Sequence, residues 1–198
     1  MHPKPIIAVI GDAQVEPGGD CDIFAEKVGG LIIDSGYRLQ TGGRGGVMEA
    51  AGRGARSSAK WASGDIISIL PGYDAQEANS YTDIAIPTGL GHGRNMLVVQ
   101  ANAVIAVGGG PGTLAEIAFA WLMNRLIIAR RGPGWAGKLA DTSLDEGRPR
   151  RPDSPDDRIY GVNSPEEAMA LLAELRPLYE RDPNMAPTAV DSRSVAWK

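Results

Sequence analysis

The 198-residue chain is poor in the residues that mark several large functional classes. Its single cysteine, Cys21, cannot form an internal disulfide, and its two histidines, His2 and His92, make no His/Cys grouping at zinc-ligand spacing. No protein-ligated metal is expected. No apolar run approaches the ~18 residues of a membrane span, so no membrane association is expected. The opening MHPKPIIAVIG lacks the charged start, longer apolar stretch and small-residue cleavage site of a secretory signal, which predicts a cytoplasmic protein. A net charge of −4 gives no global attraction to phosphate backbones or anionic lipid, and no basic-aromatic stripe is present for nucleic acid. Any anion site must be local. Two nucleotide motifs are missing too. There is no Gly-Lys-Ser/Thr of a P-loop, and no GxGxxG with an acid about twenty residues later, which disfavours an ordinary ATPase or a nicotinamide-dependent oxidoreductase.

What is present is an alternation. Short Val- and Ile-rich runs are separated by stretches with apolar residues at three- and four-residue spacing, such as Phe24, Val28, Leu31 and Ile32. Strands are predicted over 6–10, 37–41, 65–70, 83–86, 103–107, 126–129 and 159–162, and helices over 22–35, 47–58, 94–102, 112–124 and 164–179. The last helix opens with Ser164, Pro165, Glu166 and Glu167, a side-chain cap, a first-position proline and acids at the positive helix end. This is an α/β pattern: a doubly wound, mainly parallel sheet with helices on both faces, binding its ligand at the carboxyl edge of the strands. One ligand-binding domain is expected over residues 1–181. Within it, 131–158 reads as a long loop or partly disordered insert, or alternatively as a lid over the site. Residues 182–198 read as a flexible tail.

Glycine is abundant, at 26 residues, and clusters where strands are predicted to end. Gly11-Asp12 and then Pro17-Gly18-Gly19 follow the first strand. Thr41-Gly42-Gly43-Arg44-Gly45-Gly46 follows the second, and Gly108-Gly109-Gly110-Pro111-Gly112-Thr113 the fifth. Glycine between strand and helix lets the backbone take positive φ and approach a ligand closely, while the helix start supplies free N–H groups at the positive dipole end. Facing loops of this kind make an anion site, most often for phosphate. The candidate binding residues are Gly11, Asp12, Thr41, Gly42, Gly43, Arg44 and Gly45, with Gly109, Gly110, Pro111, Gly112 and Thr113. Asp12 either binds a ribose or base donor or makes an Asx turn. Arg44 is a secondary anion contact.

The run Thr88-Gly89-Leu90-Gly91-His92-Gly93-Arg94-Asn95 adds Arg94 and Asn95 to this set. Arg94 is a two-pronged donor for phosphate or carboxylate oxygens, or else a solvated arginine at a helix start. His92 reads as a turn residue outside the site. Thr113 and Glu116 have capping-box spacing, so Glu116 is either a helix-capping acid or a carboxylate beside a bound sugar phosphate, able to hold ribose hydroxyls or stabilise an oxocarbenium ion.

The ordered motifs IAVIGD, TGGRGGVMEAAGRGA, ISILPG, TGLGHGRN and AVIAVGGGPGTLAE resemble the Lonely Guy proteins, long labelled lysine decarboxylases. The resemblance runs from Ile6 to Ile128 and is closer still to the branch containing the molybdenum cofactor carrier proteins. The Lonely Guy signature PGGxGTxxE stands here as Gly108 to Glu116 with glycine in place of the leading proline, a departure shared with the carrier branch. The resemblance implies a Rossmann-like fold, a small phosphorylated heterocyclic ligand and a homo-oligomer, dimer or tetramer. For the carrier branch the ligand is molybdenum cofactor, a pterin whose metal is chelated by its own sulfurs. For the Lonely Guy enzymes it is a nucleoside 5′-monophosphate, split by a phosphoribohydrolase into free base and ribose 5-phosphate. The arginine and glutamate that carry that reaction fall on Arg94 and Glu116, although Gly-His-Gly-Arg-Asn replaces the family's Met-His-x-Arg-Lys. A lysine decarboxylase needs a lysine Schiff base to pyridoxal phosphate. None of Lys4, Lys27, Lys60, Lys138 and Lys198 lies in a glycine loop, so that label is rejected. The leading expectation is a carrier, and the alternative is the hydrolase with Arg94 and Glu116 as its catalytic residues.

Overall fold

In the first strand, β1 (Ile6–Gly11), Ile7 and Val9 face one side and Ala8 and Ile10 the other, and all four are buried. Successive strand side chains point to opposite faces, so burial of both sets requires a layer on each side of the sheet. The same holds for β5 (Ala103–Val107), whose five residues are all buried. The computed structural model describes residues 3–145, 150, 151, 154 and 156–180.

The remaining strands are β2 (Arg38–Thr41), β3 (Ile66–Leu70), β4 (Ile84–Pro87), β6 (Leu126–Arg130) and β7 (Tyr160–Val162). They form one seven-stranded sheet in the order β4-β3-β2-β1-β5-β6-β7, with every pairing parallel. Helices α1 (Asp20–Asp34), α2 (Val47–Ser57) and α6 (Pro165–Glu180) cover one face through Phe24, Val28, Ala51 and Leu172. Helices α3 (Asn95–Val98), α4 (Pro111–Leu122) and α5 (Gly134–Leu139) cover the other through Val98, Ile117, Trp121 and Ala136. This is the expected Rossmann-like, doubly wound architecture. The chain builds outward from β1 to β4 and then returns to place β5 on the free side of β1. The loops after β1 and β5 therefore diverge at a topological switch point, where such sheets bind ligands.

Two expectations need correction. The helix expected over 94–102 is a 3-10 turn, Gly91–Arg94, running into the single turn α3. Its brevity has a cause. The Gln40 amide of β2 donates to the carbonyls of Leu97 (3.2 Å) and Val98 (2.7 Å), closing the helix, and Asn102 Oδ1 accepts the Ile6 N–H at 2.8 Å, drawing the chain into the sheet. The second concerns 131–158: it contains a helix, and its described residues after that helix, which form neither helix nor strand, hold Arg150 at the far end of α4 rather than over the glycine loops. Residues Gly134–Leu139 form α5, while Arg150 and Asp157 pair at 2.5 Å and Arg150 lies 3.9 Å over the Trp121 ring. Trp121 stands ten residues beyond Pro111 on α4, roughly 15 Å down a helix that starts at the carboxyl edge. The cap expected on α6 is present: Ser164 Oγ accepts the Glu167 N–H at 3.1 Å, and Glu167 Oε2 accepts that of Asn163 at 2.7 Å. The tail 182–198 lies outside the described residues.

Helices α1 and α2 touch through glycine. A Cβ on Gly54 would lie 1.7 Å from the Glu26 carbonyl oxygen, and one on Gly29 2.0 Å from that of Ala51. Backbone opposes both, so neither clash is relieved by a rotamer change. Gly54→Ala is expected to destabilise the chain by about 3 kcal/mol, lowering the thermal midpoint by roughly 10 °C. Gly112→Ala, with open space around its Cβ, is expected to leave that midpoint unchanged. Thermal unfolding of the two variants by circular dichroism checks the contrast.

Candidate functional site

The glycine loop after β5 is held from two sides. Gly108 (φ 64°) and Gly109 (φ 98°) take left-handed backbone that a side chain would strain. The Asp12 carboxylate, from the loop after β1, accepts the Gly109 N–H at 2.7 Å across the switch point. From behind, the first turn of α5 donates Trp135 N–H to Gly109 O (2.8 Å) and Ala136 N–H to Gly108 O (2.9 Å). At least one Asp12 oxygen thus braces the loop. Gly11 is needed for the same approach, since its Cβ would fall 2.2 Å from the Val107 carbonyl oxygen.

So fixed, the loop delivers the start of α4 into the cleft. Gly110 is the N-cap and offers no side-chain bond, and Pro111 at the first position has no N–H to place. The N–H groups of Gly112 and Thr113 are left without an intrahelical acceptor at the positive end of the helix. Thr113 is buried against Gly109, where a Cβ would meet its side chain at 2.4 Å. The capping-box reading of Glu116 fails: with Gly110 as cap, Glu116 lies more than a turn inside the helix, beyond reach of the free N–H groups.

The Glu116 carboxylate instead meets Arg94. Arg94 Nη1 donates to Glu116 Oε1 at 3.2 Å, and the two side chains are only 11% and 9% exposed. The guanidinium lies flat on Gly42, whose Cβ would fall 2.4 Å from Nη1, so this glycine is the seat of Arg94. Thr41 Oγ1 accepts the Gly43 N–H at 3.1 Å and shapes that seat from below. Burial pushes the Glu116 carboxyl up to about 7, and the Arg94 charge offsets only part of that rise. Burial likewise lowers the proton affinity of Arg94, against the pull of Glu116, and the nearby Arg44 charge lowers it further. Arg94 Nε is buried with no hydrogen-bond partner among the described residues.

Above this pair lies a cleft of two adjoining lobes. The inner, about 260 Å³, is lined by Gly11, Asp12, Met48, Asn95, Gly110 to Thr113 and Glu116; the outer, about 500 Å³, by Gln14, Arg44, Gly45, Pro71 and Gly91. Ala13, His92 and Arg94 belong to both. Of the predicted residues, Thr41, Gly42, Gly43 and Gly109 lie beneath the cleft as supports rather than on its wall. His92, read as a bystander, stands between the lobes. Its signal was adjacency to Arg94 within one turn; Ala13, Gln14, Met48 and Pro71 carried no chemical signal at all. Among the described residues no group of His, Cys, Asp and Glu gathers to hold a metal ion, and no helix is long and apolar enough to cross a membrane.

The sequence profile of the SLOG cluster4 family matches residues 4–169. The chain belongs to that family. An uncharacterized protein of Archaeoglobus fulgidus is 39% identical over 132 residues, covering 64% of this chain and 80% of its own. Among solved structures, the molybdenum cofactor binding protein of the phototrophic bacterium Rippkaea orientalis is similar at 32% identity and a TM-score of 0.72, over 88% of this chain and 99% of that one. The molybdenum cofactor carrier protein of Chlamydomonas reinhardtii is similar at 31% and 0.69, over 87% and 98%. The resemblance read from the motifs therefore holds, on the branch that the Gly-Pro-Gly-Thr form of the loop pointed to.

The raised Glu116 pKa has a consequence for this SLOG chain's stability. A carboxyl bound more tightly to its proton in the folded state contributes fully below its unfolded value of 4.5, and that contribution is lost as pH rises through about 7. Glu116→Gln cannot ionise. Between pH 5 and pH 8 the wild type is expected to lose stability relative to this variant, on the order of 3 kcal/mol at most. Urea unfolding of both proteins at the two pH values measures the difference, and an unchanged gap would show that Glu116 ionises freely.

Proposed function

We propose that the inner lobe binds the phosphate of a phosphorylated heterocycle and that molybdenum cofactor is the cargo. One observation carries the choice of cargo: the two similar solved proteins named for this cofactor span almost all of this chain. The site's chemistry supports it. A phosphate at the start of α4 meets two unpaired N–H groups, the Thr113 hydroxyl and the positive end of the helix, and Arg94 can turn a second guanidinium nitrogen toward it. The pterin chelates its own metal, so the cargo asks the protein for shape and phosphate contacts rather than metal ligands.

Gly42 offers a clean test. Replacing it by alanine pushes the Arg94 guanidinium off its seat without touching backbone. Gly42→Ala is therefore expected to stay folded while losing about tenfold or more in affinity, the worth of one charge-assisted hydrogen bond. The measurement is retention of molybdenum cofactor released from a molybdoenzyme, read as bound molybdenum after gel filtration. Failure of the wild type to retain the cofactor, or equal retention by the folded variant, would sink this reading.

The Arg94–Glu116 pair favours a second reading, the nucleoside 5′-monophosphate phosphoribohydrolase. There Arg94 orients the ribose phosphate, Glu116 holds ribose hydroxyls and stabilises positive charge as the C1′–N bond breaks, and water adds to C1′. The base departs with a proton. Incubation with a panel of nucleoside 5′-monophosphates, followed by chromatography, decides it. This reading expects free base and ribose 5-phosphate from the wild type and at least a hundredfold less from Glu116→Gln. The carrier reading expects neither product from either protein.

A further inference from the structure

The outer lobe is the larger of the two, yet a phosphate at Gly112 and Thr113 uses none of its distinctive wall. The outer lobe's wall holds Arg44 together with Arg94 and His92, which it shares with the inner lobe, and no carboxylate. Arg44 and Arg94 line the same lobe, and the Arg44 charge lowers the proton affinity of Arg94, so two like charges face one open volume. Like charges facing one cavity repel, and the repulsion is relieved by an anion between them. Arg44 is not free in the structure. Its Nη2 donates to Glu77 Oε2 at 2.7 Å, and this carboxylate packs so tightly on Gly72 that a Cβ there would lie 2.6 Å from it. Asn79 completes the tie, donating its amide to Arg44 O at 3.0 Å and accepting nothing from the arginine side chain. Glu77 thus satisfies Arg44 from the rim, outside the lining of the lobe. The pair is half exposed, with side chains 44% and 38% accessible, and exposed pairs of this kind are weak.

The inner lobe, at about 260 Å³, is smaller than the usual site for a complete cofactor-sized ligand. A ligand anchored at α4 must therefore pass Arg94 into the outer lobe. We infer that the outer lobe is a second oxyanion subsite, formed by Arg44, Arg94 and His92, and that the ligand carries two anionic ends astride Arg94. This rests on the phosphate assignment made above for the inner lobe. The second end is a tetrahedral oxyanion or its equivalent, either a second phosphate or the oxo-bearing head of a metal complex. Glu77 is its competitor: the incoming anion takes Arg44 from Glu77, so Glu77 sets the threshold for occupancy.

The opposed roles of Arg44 and Glu77 make the test. The full chain is titrated calorimetrically with sodium tungstate, and tungstate-soaked crystals are examined by anomalous scattering. The wild type is expected to show two sites, one at Gly112 and Thr113 and one between Arg44 and Arg94. Arg44→Gln should lose the outer site, with at least a tenfold weaker binding step, and keep the inner one. Glu77→Gln should tighten the outer site several-fold, an effect that simple loss of a surface contact would not produce. A single peak at α4, or two sites unchanged in Arg44→Gln, overturns the inference while leaving the inner-lobe assignment intact. A peak in the outer lobe without one at Gly112 overturns that assignment and leaves the Arg44 subsite standing as an independent anion site. Repeating the titration with inorganic phosphate separates the two sources. Tighter outer-lobe binding of tungstate supports a metal-oxo head, and tighter binding of phosphate a second phosphate.

Discussion

The hydrogen bond from Gly109 N–H to the Asp12 carboxylate is the constraint on which the rest of the site depends. It spans 97 residues of sequence and joins the two loops that diverge at the switch point of the sheet. Parallel strands β1 and β5 bring those loops side by side, but strand pairing alone does not set the path of the backbone beyond the last paired residue. Asp12 in front takes up the Gly109 N–H, and the first turn of α5 behind takes up the carbonyls of Gly108 and Gly109. The N–H groups left over are those of the α4 start, and they open into the cleft. A helix terminus becomes an anion site only where the groups preceding it are already satisfied and its own are not.

The second layer of the design is a buried charge pair kept under electrostatic stress. Arg94 and Glu116 are removed from water and share one bond of moderate length, a poor return for two desolvated ions. Both respond in the expected direction, the acid holding its proton more tightly and the base less so. A side chain on Gly42 would push the guanidinium away. Such stress is useful where a ligand must be held and then released, since an incoming anion recovers interaction energy that the protein alone leaves unrealised.

Most of the fold was legible in the sequence because it rests on short-range regularities. Two-sided burial demands continuous apolar strands, as in AVIAV of β5, and Ser164, Pro165 and Glu167 announce the start of α6 without reference to anything distant. The misread elements depend on distant partners. The helix ending at Val98 is stopped by Gln40, 58 residues earlier, and α5 exists in a Gly- and Pro-rich stretch because the carbonyls of Gly108 and Gly109 accept its first N–H groups.

The same division runs through the site. By itself the sequence determined the doubly wound α/β fold, the edge of the sheet at which the glycine loops gather, and the presence there of Arg94 and Glu116, because glycine, helix-start and apolar patterns are local properties of the chain. Only the tertiary structure decided what each group does. It turned Asp12 into a brace and Gly42 into a seat, decided between the two readings of Glu116 by pairing it with Arg94 away from the helix cap, and set His92 between two lobes. The physical reason is that hydrogen-bond partners, desolvation and close approach depend on three-dimensional distance, and the residues concerned are separated by tens of positions along the chain.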